Sequence, residues 1–160
     1  MSLKLNGRFG FTLVELLITI AIIVIISTFI VSGMGSYLAR GRDQARKQEL
    51  AQLQRALTLY HNDNSWYPCG QNSPTFVGFL SGANCGLTSS YIKELPHDQR
   101  ASLNGCNVQF SDYAYKVGAD SQTYQLYAKL ENLRDPAVSG PYTIDVGGTS
   151  CTYNYRVENP

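Results

Sequence analysis

A glycine and a carboxylate stand five residues apart at the start of the longest apolar run of the chain. Residues 10–15 read GFTLVE, so that Gly10 and Phe11 precede Glu15, and the apolar run extends to Val31. An acidic side chain at the centre of a membrane-length helix costs about 2.5–3.5 kcal/mol and usually marks function. This pattern, behind a basic leader, favours a chain that is inserted, trimmed, and later withdrawn from the membrane into an assembly.

The length and charge of the chain limit its class. It has 160 residues and a net charge of +1, which becomes −1 when Lys4 and Arg8 leave with the first ten residues. This balance gives no electrostatic reason to expect a nucleic-acid partner or an acidic one. Charged residues make up only 16%, and 11 Tyr and 14 Gly suit a small β domain rich in turns.

The apolar run has the length of a membrane span. Residues 11–31 would extend about 30 Å as a helix, and Lys4 and Arg8 before it place the N-terminus in the cytoplasm. A secretory signal peptide would have a shorter apolar core before a small-residue cleavage site. A simple signal anchor explains the length but not Glu15. The third interpretation places the cut between Gly10 and Phe11 and retains the helix.

The third interpretation is supported by a resemblance. The basic leader, Gly10, Phe11 and Glu15 closely resemble the prepilin motif of type IV pilins and type II secretion pseudopilins. The resemblance implies cleavage between Gly10 and Phe11 by a prepilin peptidase, followed by N-methylation of Phe11. Cleavage creates an amine on Phe11 that Glu15 of a neighbouring subunit can neutralise, which avoids two unpaired charges in an apolar filament core.

The same resemblance implies a structural function. It predicts a homo-oligomeric helical filament, a type IV pilus for adhesion, twitching motility or DNA uptake, with an assembly ATPase and an inner-membrane platform protein as partners. The subunit would cross the inner membrane once before assembly and become extracellular in the pilus. One alternative is a major pseudopilin of a type II secretion system. Another is a single-span membrane-anchored binding module, which would retain residues 1–10. The sequence contains no nucleophile elbow, phosphate loop or zinc-protease helix, so an enzyme is not expected.

The chain is expected to be an α+β protein, in which a long N-terminal helix packs on a small antiparallel sheet. We expect a cleaved leader at 1–10, a transmembrane and assembly helix at 11–35, an amphipathic helix at 36–62 and a disulfide-tied β head domain at 63–160. The spacing of Leu50, Leu53, Leu57 and Tyr60 predicts the helix face that packs on the head. The helix should end near residues 63–64.

The charged band at residues 40–49 has two interpretations. It is either a solvated face of the helix or a source of salt bridges between subunits. Further along, alternating residues at 113–117, 124–130, 142–146 and 153–157 predict an antiparallel sheet of three or four strands against the helix.

The four cysteines predict disulfides. Cys69, Cys85, Cys106 and Cys151 form no Cys-x-x-Cys pair, and the segment that follows an export signal folds in an oxidising compartment. Three pairings are possible. Cys69–Cys85 and Cys106–Cys151 are favoured, because each closes a local loop or ties a strand to the C-terminal tail.

No cofactor is expected, and calcium is a secondary hypothesis. Some major pseudopilins bind calcium in a C-terminal loop, and Asp135 and Asp145 are the candidate oxygen ligands here. They are few for a calcium site. His61 and His97 have no second ligand at metal-binding spacing. The tyrosines fit strand positions, and no basic stripe marks a DNA interface.

Overall fold

The computed structural model of the protein is an α+β structure that divides into two compact units, Met1–Leu38 and Ala39–Pro160. One helix, α1 (Leu13–Asn64), contributes residues to both units. The structure describes the following residues, without the side chains of 29–33 and 76: 10–69, 75–77, 80, 85–87, 90–98, 100, 113–146 and 148–159.

The C-terminal end of α1 is a left-handed turn. The helix ends at Asn64, and Ser65 has a φ of 67° while its N–H donates to the carbonyl of His61 at 2.7 Å. A residue with positive φ directly after the last helical residue is a common helix terminator. The helix therefore ends where the sequence analysis placed it, and the chain turns back toward the sheet.

The second unit is organised around one face of α1. Leu50, Leu53 and Leu57 are completely buried, and Tyr60 packs at the edge of the same cluster. Their partners are buried side chains of the sheet and of the segments before it, among them Tyr113, Tyr115, Val117, Tyr124, Leu126, Leu80 and Ile92. Complete burial of a leucine contributes about 1.5–3 kcal/mol, so this face fixes the helix on the head.

The head contains two antiparallel sheets within its described residues. The larger sheet has the order β1-β2-β3-β6, and the smaller one pairs β4 with β5. The strands are β1 (Thr75–Phe76), β2 (Ala114–Val117), β3 (Tyr124–Ala128), β4 (Tyr142–Val146), β5 (Thr149–Tyr153) and β6 (Tyr155–Glu158). Gly118 and Thr123 close the turn between β2 and β3.

The alternation at 142–146 belongs to a separate hairpin, not to one continuous sheet as expected. Ala114 and Tyr127 point away from the helix cluster and pack with Val146, Cys151 and Tyr153 in a second buried cluster. The β4–β5 hairpin thus covers the other face of the larger sheet. Alternation of apolar and polar residues predicts that a segment is a strand but not which strand it pairs with. The expectation that residues 142–146 join the larger sheet was therefore wrong.

The cysteines are paired where the structure describes them. Cys69 and Cys85 form a disulfide that closes the segment between the helix and β2. Cys151 is completely buried on β5 and is also disulfide-bonded. Cys106, which the sequence analysis favoured as the partner of Cys151, lies outside the described residues.

Removing the Cys69–Cys85 disulfide should lower the free energy of unfolding by about 3 kcal/mol, the cost expected for a loop of this length. The comparison is between the wild type and the Cys69→Ala/Cys85→Ala double variant in urea unfolding.

Intact mass with and without reductant should differ by about 4 Da for two disulfides. An unchanged mass would show that the cysteines are reduced in the native protein.

Candidate functional site

The N-terminal end of α1 is built by Thr12 and Glu15. The Thr12 hydroxyl oxygen accepts a hydrogen bond from the Glu15 N–H at 3.2 Å. In return, the Thr12 N–H and hydroxyl both donate to Oε2 of Glu15 at 3.3 Å. This reciprocal pair is a capping box, which satisfies backbone donors that the first turn of a helix leaves without partners. Glu15 therefore has a local role in starting the helix.

The capping box places Gly10 and Phe11 outside the helix. Both residues are exposed, and the Phe11 side chain is 84% accessible. Apart from its chain neighbours, no described residue places an atom within 4 Å of a Cβ built on Gly10, so the described part of the chain leaves room for a side chain here. A requirement for glycine at this position would come from a protein that binds the backbone closely. Both residues of the Gly10–Phe11 bond are thus exposed and outside regular structure.

The first part of α1 presents apolar side chains on all sides. From Leu13 to Ile26 the large apolar side chains are between 51% and 79% exposed. The Thr19, Ser27 and Thr28 hydroxyls donate to backbone carbonyls three or four residues earlier at 2.7 Å. A helix that is apolar all round belongs in a buried environment, and exposed apolar surface of this extent marks an interaction site.

Glu15 is the one ionisable residue among residues 13–28. We call residues 13–28 the apolar segment. The carboxylate of Glu15 is exposed, and among the described residues only Thr12 donates hydrogen bonds to it. Where the structure describes the chain, no helical stretch meets the length and hydropathy needed to cross a membrane. The arrangement combines an accessible peptide bond, a single carboxylate and an uncovered apolar surface.

The second unit contains a buried group of charges that the sequence analysis did not find. Arg46 binds Asp98 through Nε and Nη2 at 2.9 and 3.1 Å, and its Nη1 lies 2.9 Å from both Asp43 and Glu131. Asp43, Arg46 and Asp98 are at most 6% exposed. We call Asp43, Arg46, Asp98 and Glu131 the ion cluster.

The ion cluster corrects the interpretation of the charged band at 40–49. Asp43 and Arg46 are neither on a solvated face nor available for salt bridges between subunits, because both are buried against their own chain. Asp43 lies three positions before Arg46, and Arg46 lies four before Leu50, so both charged residues fall on the helix stripe that Leu50 and Leu53 continue. That periodicity is the signal that could have identified them as buried.

Glu131 is the member of the cluster that meets the most cations. Nε of Arg42 donates to Oε1 of Glu131 at 2.8 Å. Arg46 and Arg100 also donate to the Glu131 carboxylate. The hydrogen bond from Arg42, followed by that from Arg46, lowers the pKa of Glu131 to about 2. Its carboxylate therefore stays ionised under all but strongly acidic conditions.

The lowered pKa predicts a loss of stability in acid. A carboxyl group whose pKa is lower in the folded than in the unfolded state stabilises the fold at pH values above the unfolded pKa. For Glu131 this stabilisation is lost as the pH falls from about 5 to about 2. Arg42, Arg46 and Arg100 face this carboxylate, and Asp43 and Asp98 compete for Arg46. After allowance for solvent, we expect Glu131 to account for about 2 kcal/mol of that loss.

Urea unfolding of the wild type and of Glu131→Gln between pH 7 and pH 2.5 measures this loss. The variant should be less stable at pH 7 and should show a flatter decline toward low pH. Parallel curves for the two proteins would show that Glu131 does not contribute to the acid sensitivity.

The other predicted site residues lie in the second unit. Asp135 is held by Lys47, whose Nζ is 2.7 Å from both carboxylate oxygens. Asp145 is exposed on β4. His61 contacts Gln122 at 2.9 Å, and His97 is exposed. The structure thus does not bring Asp135, Asp145 and a histidine together into one site.

The chain is similar to known proteins both in its N-terminal segment and over most of its length. The family described as the prokaryotic N-terminal methylation motif matches residues 5–31. The type II secretion system core protein G of Vibrio cholerae is 31% identical over 134 residues, which cover 78% of this chain and 81% of that protein. No solved structure gives a significant match.

Two further relatives carry the same description. The type II secretion system core proteins G of Aeromonas hydrophila and Escherichia coli are 29% and 28% identical over 96 residues. Each alignment covers 56% of this chain, and 65% and 64% of the relatives. With a prepilin motif at its start and a relative that is 31% identical over most of both chains, this protein belongs to the family of type IV pilins and type II secretion pseudopilins.

Proposed function

We propose that this protein is a pseudopilin, a structural subunit of a type II secretion system and not an enzyme. The observation that carries the proposal is the extent of the match to the Vibrio cholerae core protein G, which covers 78% of the chain. The methylation motif occupies only residues 5–31 and is shared by pilins and pseudopilins. Most of the aligned residues therefore lie beyond the shared motif.

This proposal reverses the order of the two functions considered in the sequence analysis. The similar proteins are described as secretion-system components, which favours the pseudopilin over the type IV pilus subunit for adhesion, twitching motility or DNA uptake. Both functions require the same processing and the same filament-forming helix. They differ in the machinery that the filament serves.

Processing would act on the exposed end of α1. A prepilin peptidase would remove residues 1–10, since the Gly10–Phe11 bond lies outside the helix and is accessible. The new amine on Phe11 would be methylated. The capping box between Thr12 and Glu15 would keep the helix start in place during both steps. Residues 11–35 would then hold the subunit in the inner membrane, with residues 36–62 and the head at 63–160 on the outer side.

Assembly would cover the apolar segment with the same segment of neighbouring subunits. Each large apolar side chain that becomes buried contributes about 1.5–3 kcal/mol, and more than ten such side chains are exposed between Leu13 and Ile26. Apolar contacts are not directional, so they do not set the register between subunits. Glu15 would set it by pairing with the Phe11 amine of a neighbour. An assembly ATPase and an inner-membrane platform protein would move the subunits.

Deletion of the gene tests the proposal directly. We expect deletion to abolish export of the secretion system's substrates into the culture medium and to leave surface filaments unchanged. Complementation with the wild-type gene should restore export. Loss of surface filaments with normal export would instead identify a type IV pilus subunit.

The N-terminal residue of the purified protein tests the processing step separately. Edman sequencing or mass spectrometry should find N-methylated Phe11 as the first residue. A first residue of Met1 would support the single-span anchored binding module and would contradict both filament functions.

A further inference from the structure

The loop between β3 and β4, residues 129–141, contains Asp135, one of the two candidate calcium ligands, and a further carboxylate, Glu131. Calcium takes six to eight oxygen ligands, usually with several carboxylates among them. Whether this loop fits such an ion depends on what already contacts Glu131 and Asp135. Both carboxylates are engaged by cations from α1.

The ammonium group of Lys47 lies against the Asp135 carboxylate, where a calcium ion would otherwise bind. Its ammonium nitrogen lies 2.7 Å from both carboxylate oxygens, and Oδ1 also accepts the N–H of Ala137 at 2.9 Å. Lys47 is only 21% exposed in its side chain and lies 5.9 Å from the centre of the Tyr155 ring. A calcium ion at Asp135 would have to displace this well-packed ammonium group.

The start of the loop is held by Asp43. Its two carboxylate oxygens accept the N–H groups of Glu131 and Asn132 at 2.8 Å. Arg46 donates to Asp43 and to Glu131, so the buried acid is neutralised while it binds the loop backbone. Hydrogen bonds to a charged group are stronger than those between neutral groups. Both parts of the loop are therefore bound to α1.

The loop also has internal hydrogen bonds. The Asp135 N–H donates to the Asn132 carbonyl and the Val138 N–H donates to the Asp135 carbonyl, each at 3.0 Å. Asp145, the other candidate ligand, is exposed on β4. No group of three or more His, Cys, Asp or Glu side chains in the described part of the chain is arranged to hold a metal. The residues present do not fit a calcium ion.

We propose that the β3–β4 loop is locked to α1 by the protein's own cations, Lys47 and Arg46, in place of a metal ion. The carboxylates of the loop and of Asp43 are already neutralised within the fold. The loop consequently keeps its conformation whether or not the surroundings contain calcium, and the described part of the head does not depend on the ion. This inference goes beyond the proposed function, since a pilin or a pseudopilin head could use either kind of lock.

Thermal unfolding of the full-length protein in detergent tests the independence from calcium. The midpoint should differ by less than about 1 °C between EDTA and about 5 mM calcium chloride, a concentration that saturates even weak extracellular sites. This measurement uses the wild type and does not depend on whether any variant folds. A clear rise of the midpoint in calcium would overturn the proposal.

Hydrogen exchange of single amides tests the lock itself. Lys47→Met should raise the exchange rate of the Ala137 amide at least about tenfold, because the charged bond that fixes Asp135 is lost. Lys47→Arg should restore slow exchange by supplying another cation. Lys93→Met, at an exposed lysine, is the matched control and should change nothing. Unchanged exchange in Lys47→Met would overturn the proposal.

Discussion

A Glu15→Ala variant is expected to be cut between Gly10 and Phe11 as the wild type is, yet to yield at least tenfold fewer filaments. The predicted cleavage point lies before the helix, and the carboxylate of Glu15 is bound by Thr12. Without Glu15, each assembled subunit would bury a Phe11 amine in an apolar core without a partner. Leaving one member of a buried ion pair unpaired costs about 3–5 kcal/mol, which is enough to stop the addition of subunits.

The capping box complicates this variant, because Glu15→Ala also removes the hydrogen bonds to Thr12. Two matched variants separate the roles. Glu15→Gln retains an oxygen acceptor for the capping box but removes the charge. Thr12→Ala removes the cap, at a cost of about 1 kcal/mol, but retains the carboxylate.

If the charge sets the register, Glu15→Gln should assemble as poorly as Glu15→Ala, and Thr12→Ala should assemble nearly normally. The assembled fraction is measured by cross-linking neighbouring subunits in whole cells, and processing is followed by the mass of the subunit. The opposite order, with poor assembly of Thr12→Ala and normal assembly of Glu15→Gln, would show that Glu15 acts through the helix cap alone.

Local patterns of the sequence identified the elements that depend on neighbouring residues. The stripe of Leu50, Leu53 and Leu57 predicted the buried face of α1, because helix periodicity is a local property. The alternation at 124–130 likewise predicted β3 and the side that it buries. The spacing of Gly10 and Glu15 marked the candidate site, since both lie in one short motif.

Contacts between distant parts of the chain could not be predicted in this way. Asp43 binds the backbone of Glu131 and Asn132, 88 and 89 residues away, and charged residues near a predicted membrane segment suggest solvent exposure. Partner choice between strands has the same limit, which is why the β4–β5 hairpin was not expected to form its own sheet. Long-range pairing depends on the packing of the whole head, not on any one segment.

The ion cluster makes Arg46 of α1 the position in the second unit where we expect a single substitution to have the largest effect. Arg46→Met preserves much of the side-chain volume but leaves Asp43 and Asp98 without their shared cation. Both carboxylates are buried, so the expected loss in free energy of unfolding is about 3–5 kcal/mol. Urea unfolding at pH 7 measures it.

The same substitution at Arg55 controls for the loss of one arginine from α1. Arg55 is exposed on the helix, and Arg55→Met should change the free energy of unfolding by less than about 0.5 kcal/mol. A loss below about 1 kcal/mol in Arg46→Met would mean that Asp43 and Asp98 find other partners or become hydrated. Arg55→Met removes the same charge as Arg46→Met but does not leave a buried carboxylate without its cation. A loss of the expected size in Arg46→Met alone would therefore show that buried ion pairs, as well as the stripe of Leu50, Leu53 and Leu57, hold the helix against the head.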